Sequence, residues 1–125
     1  MRFEIQLRVI ADDGRVIEDH GVLALEKTDA RLETVGLSLA EGKALLRGCQ
    51  QRIVAAQADG FVDRCRHCPG CSRPLRSKGS GTLLFRSAFG NVPIASPRFH
   101  RCSCSTGDSR TFSPLTRLFP GHTAP

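Results

Sequence analysis

Four of the six cysteines fall in two close pairs, Cys68-Pro69-Gly70-Cys71 and Cys102-Ser103-Cys104, separated by an arginine-rich segment. Thiolates suit a zinc ion, which takes four ligands at tetrahedral corners about 2.3 Å away when they are sulfur. Two cysteines with two residues between them reach adjacent corners through one tight turn. The second pair has a single intervening residue and departs from that spacing. Cys65, three positions before Cys68, and His67 are alternative ligands. The expected set is Cys68, Cys71, Cys102 and Cys104, holding one structural zinc. Four sulfurs leave no open coordination position for water, so no hydrolytic chemistry follows. Such a metal would fold a segment too small to sustain a core of its own. A redox pair, buried free thiols or a thiol enzyme built on Cys65, Cys68 and Cys71 would leave the pairing of four cysteines unexplained.

The charge around these cysteines points to a polyanion. The chain of 125 residues carries a net charge of +6. Residues 1–63 hold eight Lys/Arg and eleven Asp/Glu, a balance of −3, and residues 64–125 hold ten against one, a balance of +9. A cation excess of this kind is the electrostatic footprint of nucleic acid. The candidate DNA contacts are Arg66, Arg73, Arg76, Lys78, Arg86, Arg98 and Arg101. Arginine donates two parallel hydrogen bonds to a phosphate, and several such contacts make binding steeply salt-dependent. Phe85, Phe89 and Phe99 read as core residues rather than as a platform for bases, and nothing specifies a base sequence.

Other chemistry finds little support. No HExxH, GxGxxG or Walker loop is present. His20, His67, His100 and His122 lack a partner pattern for nucleophilic catalysis. After Asp63 the only carboxylate side chain is that of Asp108, which excludes a two-metal phosphoryl-transfer site within this segment. The N-terminus alternates apolar and charged residues, unlike a signal peptide or a membrane span. A cytoplasmic location is expected, where close cysteine pairs hold metal more often than they form disulfides.

The elements that must position these residues give an α+β pattern. Phe3, Ile5, Leu7 and Val9 alternate with Glu4, Gln6 and Arg8, the period of a half-buried strand. Asp13-Gly14 signals a turn, and residues 16–25 supply a partner strand. Two strands alone are marginal in water, so a covering element is needed. A long helix follows from Ser38, with Glu41 completing a capping box. Its apolar stripe is Leu39, Leu45, Leu46, Cys49, Ile53, Ala56 and Phe61. Gly42 and Gly48 each weaken it by about 1 kcal/mol against Ala, and Cys49 reads as core. A shorter helix is expected after Thr28, with Asp29 in its first turn. A boundary near Arg64 divides a hairpin-plus-helix domain, 1–63, from a basic zinc-ribbon-like domain, 64–125. In the latter, residues 82–89 and 92–101 form a hairpin about Gly90-Asn91. That turn pairs Phe89 with Val92, Ser87 with Ile94 and Gly79 with Cys102, bringing the second cysteine pair back towards the first once residues 72–78 fold back as a loop. Pro93 and Pro97 make the second strand an edge or a bulged strand. The chain from Ser105 reads as loop.

The stretches "LSLAEGKALL", "HCPGCSRPLRSKG", "LLFRSAFGNV", "SPRFHRCSCS" and "RTFSPLTRLFP" resemble, in this order, the N-terminal region of bacterial insertion-sequence transposases of the Kra type. That region precedes their RNase H-like catalytic domain. The resemblance implies recognition of double-stranded DNA, namely the terminal repeats of a mobile element. It also implies a nucleoid-associated protein, with a homodimer as a further expectation. Cys68, Cys71, Cys102 and Cys104 match the family's paired cysteines, and Cys65 falls outside them. Family members cut and join DNA with an Asp/Asp/Glu triad in a domain that this sequence does not include. The resemblance therefore implies a truncated, non-catalytic binding fragment.

Overall fold

The computed structural model describes residues 1–28, 31–104 and 110–121. It is α+β, with two small antiparallel sheets and one long helix. The chain divides into two compact units, Met1–Val54 and Ala55–Pro125, and the division falls inside the helix. The helix itself ends at Arg64, where the composition changes.

In the first unit, β1 (Arg2–Ile10) pairs with β2 (Val16–Glu26). The alternation expected from the sequence is present: Ile5, Leu7 and Val9 are half-buried, and Glu4, Gln6 and Arg8 are exposed. Gly14 takes a positive φ of 88° in the turn, and the Asp13 carboxylate accepts the Arg15 N–H at 2.9 Å. β2 carries two extra residues relative to β1. The register passes from Ile5↔Leu23 to Gln6↔Gly21, and from Val9↔Glu18 to Ile10↔Val16. Val22 and Ile17 are therefore bulged.

Helix α1 (Leu39–Arg64) starts as its capping box requires. The Ser38 hydroxyl accepts the Glu41 N–H at 3.1 Å, and the Glu41 carboxylate accepts the Ser38 N–H at 2.8 Å. Glu41 also pairs with Lys27, just past β2, at 2.7 Å, and this contact ties hairpin to helix. The expected stripe is only partly the inward one. Leu39, Leu46 and Ile53 are 77%, 47% and 44% exposed. The inward positions are Leu45, Gly48 and Cys49 in the first half and Val54, Ala58 and Val62 in the second. At about 100° per residue, Leu45 and Val54 lie on opposite sides of the axis. One stripe read across both halves averages two different faces. Of the short helix expected after Thr28, Asp29 lies outside the described residues, and the following residues 32–36 form turns and bends instead.

In the second unit, β3 (Ser77–Ser87), β4 (Gly90–His100) and β5 (Thr111–Phe112) form one sheet in that order. The hairpin turn lies two residues earlier than the sequence suggested. Ser87 pairs with Gly90 around Ala88-Phe89, so Leu83 faces Ile94, Phe85 faces Val92 and Gly79 faces Arg98, not Cys102. The Ser87 hydroxyl donates to the Gly90 carbonyl at 2.6 Å and accepts the Phe89 N–H at 3.3 Å. Gly90 follows with φ 111°, a value that a side chain would resist. Phe89 sits in the turn, 46% exposed, instead of in the core. Pro93 and Pro97 fall where β4 has no second neighbour among the described residues, because β5 pairs with Phe99 and His100. Of the tail expected to be loop, residues 105–109 and 122–125 lie outside the described residues, and the described part holds two further elements. β5 and a short helix α2 (Leu115–Leu118) place Leu115 and Phe119 in the core with Ala58, Val62, Leu83, Val92, Ile94 and Phe99. No helix among the described residues is long and apolar enough to cross a membrane.

The two helix glycines predict opposite responses. Gly42 has open space around it, whereas a Cβ on Gly48 would stand 2.6 Å from Val22 Cγ1 and 3.3 Å from the Val22 carbonyl oxygen. Gly42→Ala should raise stability by up to about 1 kcal/mol through helix propensity. Gly48→Ala should be neutral to destabilising, because an overpacking cost of about 1–3 kcal/mol offsets that gain. Urea titration followed by far-UV circular dichroism checks both. Glu41 gives a pH prediction. The Lys27 ammonium, then the Ser38 N–H and hydroxyl, hold its carboxyl down at about 2 from the ordinary 4.5. Its contribution is complete above the ordinary value and disappears as pH falls from there towards about 2. Glu41→Gln should flatten the acid limb of the stability curve in that window.

Candidate metal centre

Two local structures deliver the four thiols. Residues 66–75 form a miniature hairpin. Leu75 N–H donates to the Arg66 carbonyl at 2.8 Å, Cys68 N–H to Arg73 at 2.9 Å, and Ser72 N–H to Cys68 at 2.8 Å. His67 and Pro74 are bridged, and Ser72 closes the turn with φ 62°. This replaces the fold-back of residues 72–78 expected from the sequence, since Ser77 and Lys78 already belong to β3. The second pair follows β4 directly. A bulge at Lys78 shifts the ladder so that Ser77 faces Phe99, and His100 N–H donates to the Arg76 carbonyl at 2.8 Å. Arg101 N–H donates to Arg110 at 2.8 Å, which fixes the chain entering Cys102.

The sulfurs of Cys68, Cys71, Cys102 and Cys104 lie within 4.8 Å of one another. Cys68 Sγ is 3.3 Å from Cys104 Sγ, and Cys71 Sγ is 3.4 Å from Cys102 Sγ. A disulfide needs about 2.05 Å, and all six cysteines are free. The edge of a tetrahedron with 2.3 Å metal–sulfur bonds is about 3.8 Å, so small adjustments of the side chains let the set close on one ion. Cys68 is buried, Cys102 half-buried, and Cys71 and Cys104 exposed. These four can hold a metal ion. Cys65 and His67 do not join the group, and Cys49 lies half-buried on α1.

The thiols are electrostatically uneven. The Cys71 N–H, then the Gly70 N–H and the Cys104 thiol, stabilise the Cys68 thiolate and lower its pKa to about 6 from 9.0. The Cys104 N–H first, then the Cys71 thiol, pull Cys102 down as well. Cys104 is pushed up to about 12, chiefly through its hydrogen bond with Cys68. Turn amides thus prepare two thiolates, while Cys104 keeps its proton until a cation displaces it.

The seven candidate DNA contacts, Arg66, Arg73, Arg76, Lys78, Arg86, Arg98 and Arg101, are all exposed in the second unit. Arg66 pairs with Asp63 at 2.9 Å and lies 5.6 Å over the Phe99 ring. Arg101 lies 5.0 Å over Phe112. Arg73, Arg76 and Arg101 line a cavity of about 430 Å³ with His100 and Cys102. Arg86 is opposite Asn91 and Arg98 opposite Gly79 on the ribbon. Apart from Arg66, none of the seven pairs with a carboxylate among the described residues. Sequence reasoning missed Phe112, which anchors Arg101, and His100, which lines the cavity. Compared with family models, curated proteins and solved structures, the chain matches none.

Metal analysis of the purified chain should return one soft divalent ion per molecule. Cys68→Ser, Cys71→Ser, Cys102→Ser or Cys104→Ser should each remove or greatly weaken it, whereas Cys49→Ser and Cys65→Ser should leave the stoichiometry intact. Because binding must release at least the Cys104 proton, apparent affinity near neutral pH should fall about tenfold or more per unit of acidification.

Proposed function

We propose that the chain is a zinc-stabilised DNA-binding module, related to the N-terminal region of Kra-type insertion-sequence transposases. Four thiolates in tetrahedral reach suit zinc among abundant divalent ions. Zinc there would be structural, holding the 66–75 hairpin against the end of β4. The module recognises DNA and leaves strand chemistry to other machinery, as four sulfurs would saturate the metal.

The observation that carries the reading is the charge beside the thiol cluster. A zinc ion with four thiolates has a net charge of −2, so some neighbouring cations compensate it. Arg73, Arg76 and Arg101 stand next to Cys102 and can do so. Lys78, Arg86 and Arg98 continue along the ribbon without carboxylate partners among the described residues. That surplus suits the regular phosphates of a duplex. The stacking of Arg66 and Arg101 on aromatic rings restricts both side chains before any ligand arrives, which reduces the entropic cost of binding. The resemblance to transposases makes the terminal repeats of a mobile element the natural DNA.

Fluorescence anisotropy with duplex DNA tests this. The zinc-loaded chain should bind at low salt, and log K should fall linearly with log salt. Replacing Lys78, Arg86 and Arg98 together by Ala should reduce the slope by about 0.9 for each phosphate that is no longer neutralised. Zinc content should be unchanged. A zinc-loaded chain that retains no duplex at low salt would instead favour a zinc-ribbon adaptor for protein contacts.

A further inference from the structure

We propose that β1 is the interface between two copies of this chain, which pair edge to edge as antiparallel strands about a two-fold axis at Gln6. A strand edge offers a row of backbone donors and acceptors to another strand, and proteins blunt such edges with bulges or charge. Here the two strands of the hairpin differ. β2 is bulged at Ile17 and Val22, whereas β1 contributes nine residues in unbroken succession. β1 pairs with β2 alone, and no other described segment takes its second edge. A two-stranded sheet is marginal by itself; pairing two copies makes a sheet of four strands, β2-β1-β1-β2.

The occupant follows from the residues of β1, which are complementary to themselves. With the axis at Gln6, residue numbers of opposing partners sum to 12. Glu4 then faces Arg8 of the second copy, and Arg8 faces its Glu4. On the other side of the sheet Phe3 faces Val9 and Ile5 faces Leu7. Every pair on the apolar side is apolar, and both charged pairs are of opposite sign, each worth a fraction of a kcal/mol in a ladder. Moving the axis one residue to Ile5 sets Arg2 against Arg8. Moving it to Leu7 sets Arg8 against Gln6 and Glu4 against Ile10. The Gln6 register sets Arg2 against Ile10 at the strand ends, yet of these three it alone gives both Glu4 and Arg8 a partner of opposite charge. It is isologous, so the assembly closes at two copies. Phe3, 47% exposed, gains cover from the second copy. Arg8 keeps its intrachain contact to Asp19 at 3.1 Å and, with a side chain 60% exposed, has room for a second carboxylate.

Sedimentation velocity on the full, metal-loaded chain tests the interface. The wild type should form a dimer that dissociates on dilution. Glu4→Lys and Arg8→Glu each place like charges across the axis twice and should weaken the dimer at least tenfold. The double variant Glu4→Lys/Arg8→Glu should restore it to near wild type. Rescue would be specific to pairing between copies. Within one chain, positions 4 and 8 are about 13 Å apart along the strand, and both intrachain partners, Arg2 and Asp19, remain mismatched. Gln6→Lys sets two ammonium groups face to face on the axis and should also dissociate the dimer. Circular dichroism confirms that the hairpin persists in each variant. A chain that stays monomeric at its highest soluble concentration, single variants that dimerise like the wild type, or a double variant as weak as the singles would overturn the proposal.

Discussion

Four thiols gathered within 4.8 Å of one another are the constraint on which the second unit depends. Thiolates repel, so they stay together only if something absorbs their charge. The turn amides of Cys71, Gly70 and Cys104 do part of this, and the proton kept on Cys104 does another part. Guanidinium groups nearby can take up more, and the four sulfurs could hold a metal ion. This geometry adds to the Arg66–Phe99 contact in joining the 66–75 hairpin to the end of β4. The 66–75 turn has almost no apolar content of its own beyond Leu75, and its one buried side chain is Cys68. Hydrophobic burial cannot hold such a segment, whereas coordination can.

The legible parts of the sequence are those governed by local rules. The alternation in β1, the Asp13-Gly14 turn and the Ser38/Glu41 capping box each follow from a few adjacent residues. The cysteine spacing likewise identifies the cluster, because ligand count and geometry restrict the choices. The register of the β3–β4 hairpin differs from the one that Gly90-Asn91 suggests. Expected and observed partner sums differ by four, an even number, so every side chain keeps its face. Alternation fixes that parity and nothing more. The choice between even registers lies in the partners. The expected one would set Leu83 against Arg98 and Phe85 against Ser96, while the observed one sets Leu83 against Ile94 and Phe85 against Val92. A Gly-Asn pair is a strong turn signal only while no better cross-strand match competes.

Two further differences share a cause: the neighbours of an element are not written in its own sequence. Periodicity assigns α1 one apolar face, but a helix that buries different sides along its length has no single stripe. The tail reads as loop because its apolar residues, Phe112, Leu115, Leu118 and Phe119, are few and irregular. Their value emerges only against Phe85 and Phe99, whose rings lie 5.2 Å from Phe119 and 6.1 Å from Phe112. Pro114 at the start of α2 is the available signal, since proline is favoured in a first helical turn.

The same aromatic residues connect the core to the basic surface. Phe99 is almost fully buried, yet it also receives the Arg66 guanidinium, and Phe112 receives that of Arg101. The core of the second unit therefore extends outward as a short series of stacked groups, from ring to ring to cation, beside the thiol cluster. Arginine is suited to this because its planar, weakly hydrated head can stack on one side while its N–H groups face outward. Lysine would keep the charge and lose the stack. A basic surface built this way is oriented by the fold, so a loss of packing beneath it would disorder the cations before it removed any of them.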